Sequence, residues 1–183
     1  FYRFQAVLDF RGDAGTEEAV CQVAVEDPSL LAKVSPERIR DELNKLLTGV
    51  APGKGLRGLV RTGLLPVIAP EFAPVVKEPA LMEHLVATVE AVKPELHLRW
   101  AAFLHDLGKP ATRIQDGTRV HYFGHEQAGE KLAAALLERL RFSRAFMEKV
   151  LVLVRRHMFP CDPMMTDVAL RRLAAKVGRD ALF

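Results

Sequence analysis

Apolar residues recur at intervals of three and four along almost the whole of this chain, the period of a helix that buries one face. Strand-like alternation is confined to Thr112–His121, where two short β-prone arms flank Asp116-Gly117, the signal of a tight hairpin. The spacing therefore predicts an all-α fold with one small β-hairpin, read as an exposed flap. At 183 residues, 49% hydrophobic and 27% charged, the chain has enough apolar surface for a sizeable core. A net charge of +3 permits a polyanionic partner without requiring one. No charge-free apolar run approaches the ~18 residues of a membrane span. Cys21 and Cys161 form neither a CxxC pair nor a disulfide framework, so a reducing, cytoplasmic location with no membrane partner is expected.

The opening ten residues, from Phe1, have neither the basic start nor the small-residue cleavage site of a signal peptide. Phe1, Phe4, Val7 and Leu8 lie near helical spacing, which reads as a piece of a longer chain whose packing partner is elsewhere. Ser35-Pro36 is a good cap and first-turn pair for a helix carrying Ile39, Leu43, Leu46 and Leu47 and ending near Gly49. A short helix from about Leu56 to Thr62 closes at Gly63, and the Pro-punctuated stretch Leu64 to Pro79 reads as irregular connection. The boundary between a helical neck or body segment, residues 1–79, and a second helical unit, residues 80–183, is placed there.

In the second unit, Leu81, Leu85, Val89 and Val92 line one side of a helix, with His84 beside that stripe. After Pro94 the next helix runs from about Glu95 to Leu107 and stops at Gly108, with Pro110 beyond, putting His105 and Asp106 in its last turn. Gly124-His125 opens a helix through about Arg139, in which His125, Ala128, Leu132 and Leu136 share a face. Ser143 caps another, with Phe146, Val150, Val154 and His157 on the inner side and Arg155 and Arg156 on the outer. Thr166 caps the last, Asp167 to Val177, with Asp167 in line with Leu170, Ala174 and Val177.

Each of these polar residues has an ordinary explanation alone. Asp167 at a helix start favours the dipole, worth ~0.5 kcal/mol, and a lone inward His is usually a hydrogen-bonded core residue. His97 and His121 read as surface residues. Taken together, His84, His105, Asp106, His125, His157 and Asp167 come from five helices, and all but His84 lie clearly on the buried face. One shared metal centre explains them more simply than five separate satisfied sites. Imidazole and carboxylate without thiolate suit Mn, Fe, Ni, Co or Mg better than structural zinc. His84, His105, Asp106 and Asp167 would hold one ion; if Asp106 bridges, His125 and His157 hold a second. Two such ions would activate a bridging water and clamp phosphate oxygens during in-line attack, which is phosphohydrolase chemistry. Lys109 would neutralise charge on phosphorus or pair with a leaving oxygen, unless it simply answers the helix dipole.

His84, then Leu104-His105-Asp106-Leu107-Gly108-Lys109-Pro110, Gly124-His125-Glu126, His157 and Asp167 resemble the HD superfamily of metal-dependent phosphohydrolases. Val34 to Leu43, Gly55-Leu56-Arg57, Thr62 to Pro66, Arg155 to Phe159 and Thr166 to Arg172 resemble the bacterial tRNA nucleotidyltransferase and poly(A) polymerase family over nearly the whole chain. The resemblance implies a neck and body region followed by an HD domain, without the nucleotidyltransferase head and its Asp-x-Asp pair, so that this chain alone would not add nucleotides. It further implies activity on phosphate esters, such as 2′,3′-cyclic phosphodiesterase, 2′-nucleotidase or phosphatase activity. In some active members an Asp follows the late His directly. Here Met158 follows His157, so the last carboxylate would be Asp167 or Asp162.

In the neck, Lys33, Arg38, Arg40, Lys45, Lys54, Arg57 and Arg61 outnumber nearby acids and would contact tRNA phosphates in a salt-dependent way, if they are more than a solvated helix face. No aromatic stacking platform accompanies them. Two other readings stand beside the phosphohydrolase: a helical tRNA-binding module whose HD site is only structural, and a stand-alone nucleotide hydrolase.

Overall fold

The computed structural model describes residues 34–158, so the expected helices near Phe1 and after Thr166, with Lys33, Asp162 and Asp167, lie outside the described residues. Within them the fold is all-α apart from one two-stranded antiparallel hairpin. The helices are α1 (Pro36–Thr48), α2 (Pro52–Arg61), α3 (Leu65–Ile68), α4 (Pro79–Ala91), α5 (Leu96–Leu104), α6 (Lys109–Thr112), α7 (His125–Arg139) and α8 (Arg144–Arg156). The strands β1 (Ile114–Asp116) and β2 (Arg119–His121) lie between α6 and α7. No helix of the described residues is long and apolar enough to cross a membrane.

Ends follow local chemistry. The Ser35 and Ser143 hydroxyls accept from the amides of Arg38 and Phe146, capping α1 and α8 as their positions predict. Gly63 after α2 and Gly117 in the hairpin turn have φ of 67° and 57°, which glycine adopts without penalty. Strand pairing is Ile114 with His121, Gln115 with Val120 and Asp116 with Arg119.

Three expectations need correction. The second helix starts at Pro52 rather than near Leu56, because Pro suits a first turn and Gly53 and Gly55 are buried where a side chain would strike Glu90 and Leu46. The connection from Leu64 to Pro79 is no open loop: α3 and two 3-10 turns bury Leu65, Ile68, Phe72 and Val75. His97 is half-buried, with Nε2 4.0 Å from Glu95, rather than a surface residue.

One apolar cluster runs from Ile39 in α1 to Val154 in α8. Phe72 stacks on Phe103 of α5 at 4.3 Å, Trp100 meets Phe142 edge-on at 5.2 Å, and Phe142 stacks on Phe146 at 4.6 Å. Polar groups tie the same layers. Trp100 Nε1 donates to Asn44 Oδ1 at 2.8 Å, joining α5 to α1, and the buried Arg99 donates to the carbonyls of Val89 and Lys93, closing the end of α4 onto α5. Arg139 at the end of α7 reaches the Ile68 carbonyl and Glu71.

Candidate metal centre

The site forms where α5 ends, α7 begins and α8 ends, with α4 alongside. His105 and Asp106 lie just past the end of α5, which closes at Leu104, rather than in its last turn. Gly108 does not serve as a left-handed helix stop, since its φ is −80°. It is needed for space: a Cβ there would lie 2.2 Å from the His125 carbonyl oxygen and 2.5 Å from the Gly129 nitrogen. The turn after α5 thereby lies directly on the first turns of α7, which brings His125 to Asp106.

Asp106 is almost fully buried, and each of its oxygens faces a different pair of imidazoles. Oδ2 lies 3.2 Å from His84 Nε2 and 3.1 Å from His105 Nε2; Oδ1 lies 3.3 Å from His125 Nε2 and 3.4 Å from His157 Nε2. Within the pairs, the Nε2 atoms are 3.1 Å apart for His84 and His105 and 3.0 Å apart for His125 and His157. Each triad, His84-His105-Asp106 and Asp106-His125-His157, offers ligand atoms within 4.8 Å of one another.

Hydrogen bonding decides what these nitrogens present. His105 Nδ1 lies 2.8 Å from the Ala102 carbonyl, His125 Nδ1 2.7 Å from that of Tyr122 and His157 Nδ1 2.7 Å from that of Val154. A carbonyl can only accept, so in the neutral rings Nδ1 carries the hydrogen and Nε2 presents a lone pair. Two such lone pairs face each other between His125 and His157, and beside them the buried Asp106 Oδ1 has no hydrogen-bond donor among the described residues. Converging acceptors without a donor are costly unless a cation lies among them. Nitrogen and oxygen ligands with no thiolate, in two sets sharing one carboxylate, fit divalent ions. The ends of α5 and α8 also direct their negative dipole ends toward the cluster.

Burial pushes the Asp106 carboxyl up, but the adjacent His105 and His157 rings and the Lys109 ammonium outweigh it and hold the group far below the usual carboxylate range. Burial and the neighbouring His105 ring lower His84. At His157 burial also acts downward, yet Asp106 and the Val154 carbonyl lift it above the ordinary imidazole value.

Lys109 Nζ lies 2.6 Å from Asp106 Oδ2, so an ammonium already neutralises one half of the carboxylate. It also lies 5.7 Å from the centroid of the Tyr122 ring. His84, Lys109 and Tyr122 line an open cavity of about 370 Å³ that continues to Glu78 and Pro79 at the start of α4. Tyr122 was not singled out in the sequence; its position three residues before His125, two before the Gly that opens the helix, was the available signal.

The basic neck residues are partly committed elsewhere. Arg40 pairs with Asp41 and donates to the Arg141 carbonyl, Lys45 pairs with Glu42, and Arg57 bridges Glu83 and Glu90 of α4. Arg38 and Arg61 are exposed.

Residues 81–178 match the HD domain family, more than half of the chain. This chain belongs to the HD family. His84, His105, Asp106, His125 and His157 all fall within the HD match, and residues 9–75 ahead of it match a segment described as the probable RNA and SrmB-binding site of polymerase A. The HD chain is 39% identical over 136 residues to a CC-adding tRNA nucleotidyltransferase of Thermus thermophilus, covering 67% of this chain and 31% of that protein. It is 34% identical over 181 residues to an A-adding tRNA nucleotidyltransferase of Deinococcus radiodurans, covering 87% and 41%. A multifunctional CCA protein of Legionella pneumophila is 31% identical over 140 residues, covering 70% and 34%. The chain thus spans less than half the length of these relatives.

Proposed function

We propose that this chain is a divalent-metal-dependent phosphohydrolase unit of a protein that works in tRNA 3′-end processing, acting on phosphate esters or 2′,3′-cyclic nucleotides. The observation that carries this reading is Asp106, with one oxygen turned to His84 and His105 and the other to His125 and His157. In this reading His84, His105, Asp106, His125 and His157 are metal ligands, Asp167 completes the first set, and residues 80–183 are the hydrolytic domain. Bound there, Mn, Ni, Co, Fe or Mg would supply an activated water and charge neutralisation for in-line attack at phosphorus.

The chain's own groups do the rest. Asp106 and the three carbonyl-bonded histidines hold the donor atoms in place before substrate arrives. Lys109 leaves Asp106 to pair with a phosphoryl oxygen or the leaving oxygen. Water oxygen bonds to phosphorus, the ester oxygen departs, and the water's protons pass to that oxygen and to solvent. The body segment, residues 1–79, would meet RNA phosphates through Arg38, Arg40, Lys45, Arg57 and Arg61, with Arg40, Lys45 and Arg57 exchanging their carboxylate partners for phosphates. The relatives' names, which place them in tRNA nucleotidyl addition, support tRNA as the partner. A soluble, cytoplasmic setting accords with that partner.

The Lys109–Asp106 pair favours a second reading, in which the cluster is a structural element of a tRNA-binding module. Hydrolysis of 2′,3′-cyclic AMP or an aryl phosphate by the purified chain with Mn, Ni or Co, abolished in Asp106→Ala, is the expected result. Absence of turnover with all three ions, together with salt-dependent tRNA binding that survives His105→Ala, would establish the structural reading instead.

A further inference from the structure

The hairpin beside the centre exposes apolar surface that nothing among the described residues covers. Ile114 is 53% and Phe123 73% exposed. Ile114 is paired across the ladder with His121, and the His121 ring lies parallel to Phe123, with centroids 5.1 Å apart and planes 8° apart. Asp116 and Arg119, paired two residues further out, sit on the same face as Ile114 and His121. The result is a row on one side of the hairpin, Ile114, His121 and Phe123 stacked on His121, with Arg119 at its outer end. Charge there is mostly positive: between 109 and 123 the chain carries Lys109, Arg113 and Arg119 against Asp116 alone.

The row is connected to the metal centre through its own backbone. Tyr122, between His121 and Phe123 in the sequence, gives its carbonyl to His125 Nδ1 and lines the cavity with Lys109 and His84. A ligand that spans the row and the cavity would meet, in order, an aromatic face, a cation and the ligand cluster. Planar π-systems with anionic phosphates have that order, and base stacking on an aromatic side chain tolerates any base. Glu78 on the cavity wall suits ribose hydroxyls, which donate, better than a second phosphate.

We propose that this hairpin is a nucleobase platform: a single-stranded RNA end stacks a base on the outer face of Phe123, extending its stack with His121, its backbone follows Arg119, and its terminal phosphate enters the cavity at Lys109. The proposal rests on the phosphohydrolase reading for the fate of the phosphate but not for the binding itself. Fluorescence anisotropy of the full chain, loaded with Mn, against a labelled octa-adenylate RNA measures it. Phe123→Ala is expected to bind about tenfold more weakly, equivalent to the ~1.4 kcal/mol within reach of one base–aromatic stack. Phe123→Trp should restore binding, and Arg119→Gln should flatten the salt dependence by about 0.7 in log–log slope, the share of one single-strand phosphate. The KM for 2′,3′-cyclic AMP should rise in Phe123→Ala as well. Unchanged RNA affinity in both Phe123→Ala and Arg119→Gln, with circular dichroism showing folded variants, overturns the platform. So does a loss of self-association in Phe123→Ala, by sedimentation, with RNA affinity intact, since the row is then a protein contact. RNA binding that depends on Phe123 in a chain that hydrolyses nothing keeps the platform and removes the phosphohydrolase reading.

Discussion

His105 and His157 are the residues that cap α5 and α8, and each returns its Nδ1–H to the carbonyl three residues back. Helix ends leave carbonyls without amide partners, so the same bond satisfies an orphan acceptor and aims Nε2 at Asp106. Lys109 is the cation that competes for this arrangement, at 2.6 Å from Oδ2. Lys109→Met should therefore bind Co or Mn more tightly than wild type, while its turnover of an aryl phosphate falls about 10²-fold, the effect of losing one charge-stabilising donor. Chelator competition and steady-state kinetics read the two quantities separately. Weaker metal binding in Lys109→Met would show that the ammonium supports the ligand set instead of opposing it. That these histidines face inward was legible in the sequence, because helical spacing puts His125 and His157 on the faces of Leu136 and Val154. The placement of Asp106 between two histidine pairs was not, since it depends on how three helix ends meet.

At the scale of elements, the centre depends on one close approach. The turn after α5 reaches α7 because Gly108 and Gly129 both lack a side chain; a Cβ on Gly129 would lie 3.3 Å from the Gly108 nitrogen, a tight but milder contact than the reverse. Gly108→Ala meets backbone on both sides, so it should cost ~3 kcal/mol, the upper part of the usual overpacking range, and displace His105 and Asp106 from His125. Gly129→Ala should cost ~1 kcal/mol or less, as its neighbours yield by tenths of an ångström. Urea denaturation of the two variants, with metal titration of each, checks the difference. Equal costs would mean that the turn adjusts freely. The sequence suggested a Gly that ends a helix, and local pattern could go no further, because Gly108 is dictated by a partner seventeen or more residues away. Caps, by contrast, are local, and Ser35 and Ser143 act as their positions predicted. The stretch from Leu64 to Pro79 was read as irregular because its prolines break the period, while its burial comes from α2 and α4 beside it and from Phe103 of α5, which stacks on Phe72.

For the whole molecule the question is whether the body segment and the metal centre stand or fall together. Phe72, fully buried in the first segment, stacks on Phe103 of α5, two residues before His105, and Trp100 on the same helix donates to Asn44 of α1. Through these contacts α5 carries the first segment on one flank and His105 and Asp106 just past its end. Phe72→Ala should cost ~3–5 kcal/mol, as for other buried aromatic deletions. The chain's one tryptophan, Trp100, reports the contact with α1 by fluorescence, and far-UV circular dichroism reports helix throughout. If the core is one cooperative unit, the two signals unfold together in wild type and in Phe72→Ala. Co at a hundred times its dissociation constant should then raise the stability of both proteins by ~2.7 kcal/mol, because the ion binds only the folded unit. Two separate transitions, with Co moving only the later one, would instead mean that residues 1–79 unfold without the centre. In that case a body segment bound to RNA could not transmit strain to Asp106, and any effect of tRNA on hydrolysis would have to come from the substrate end alone.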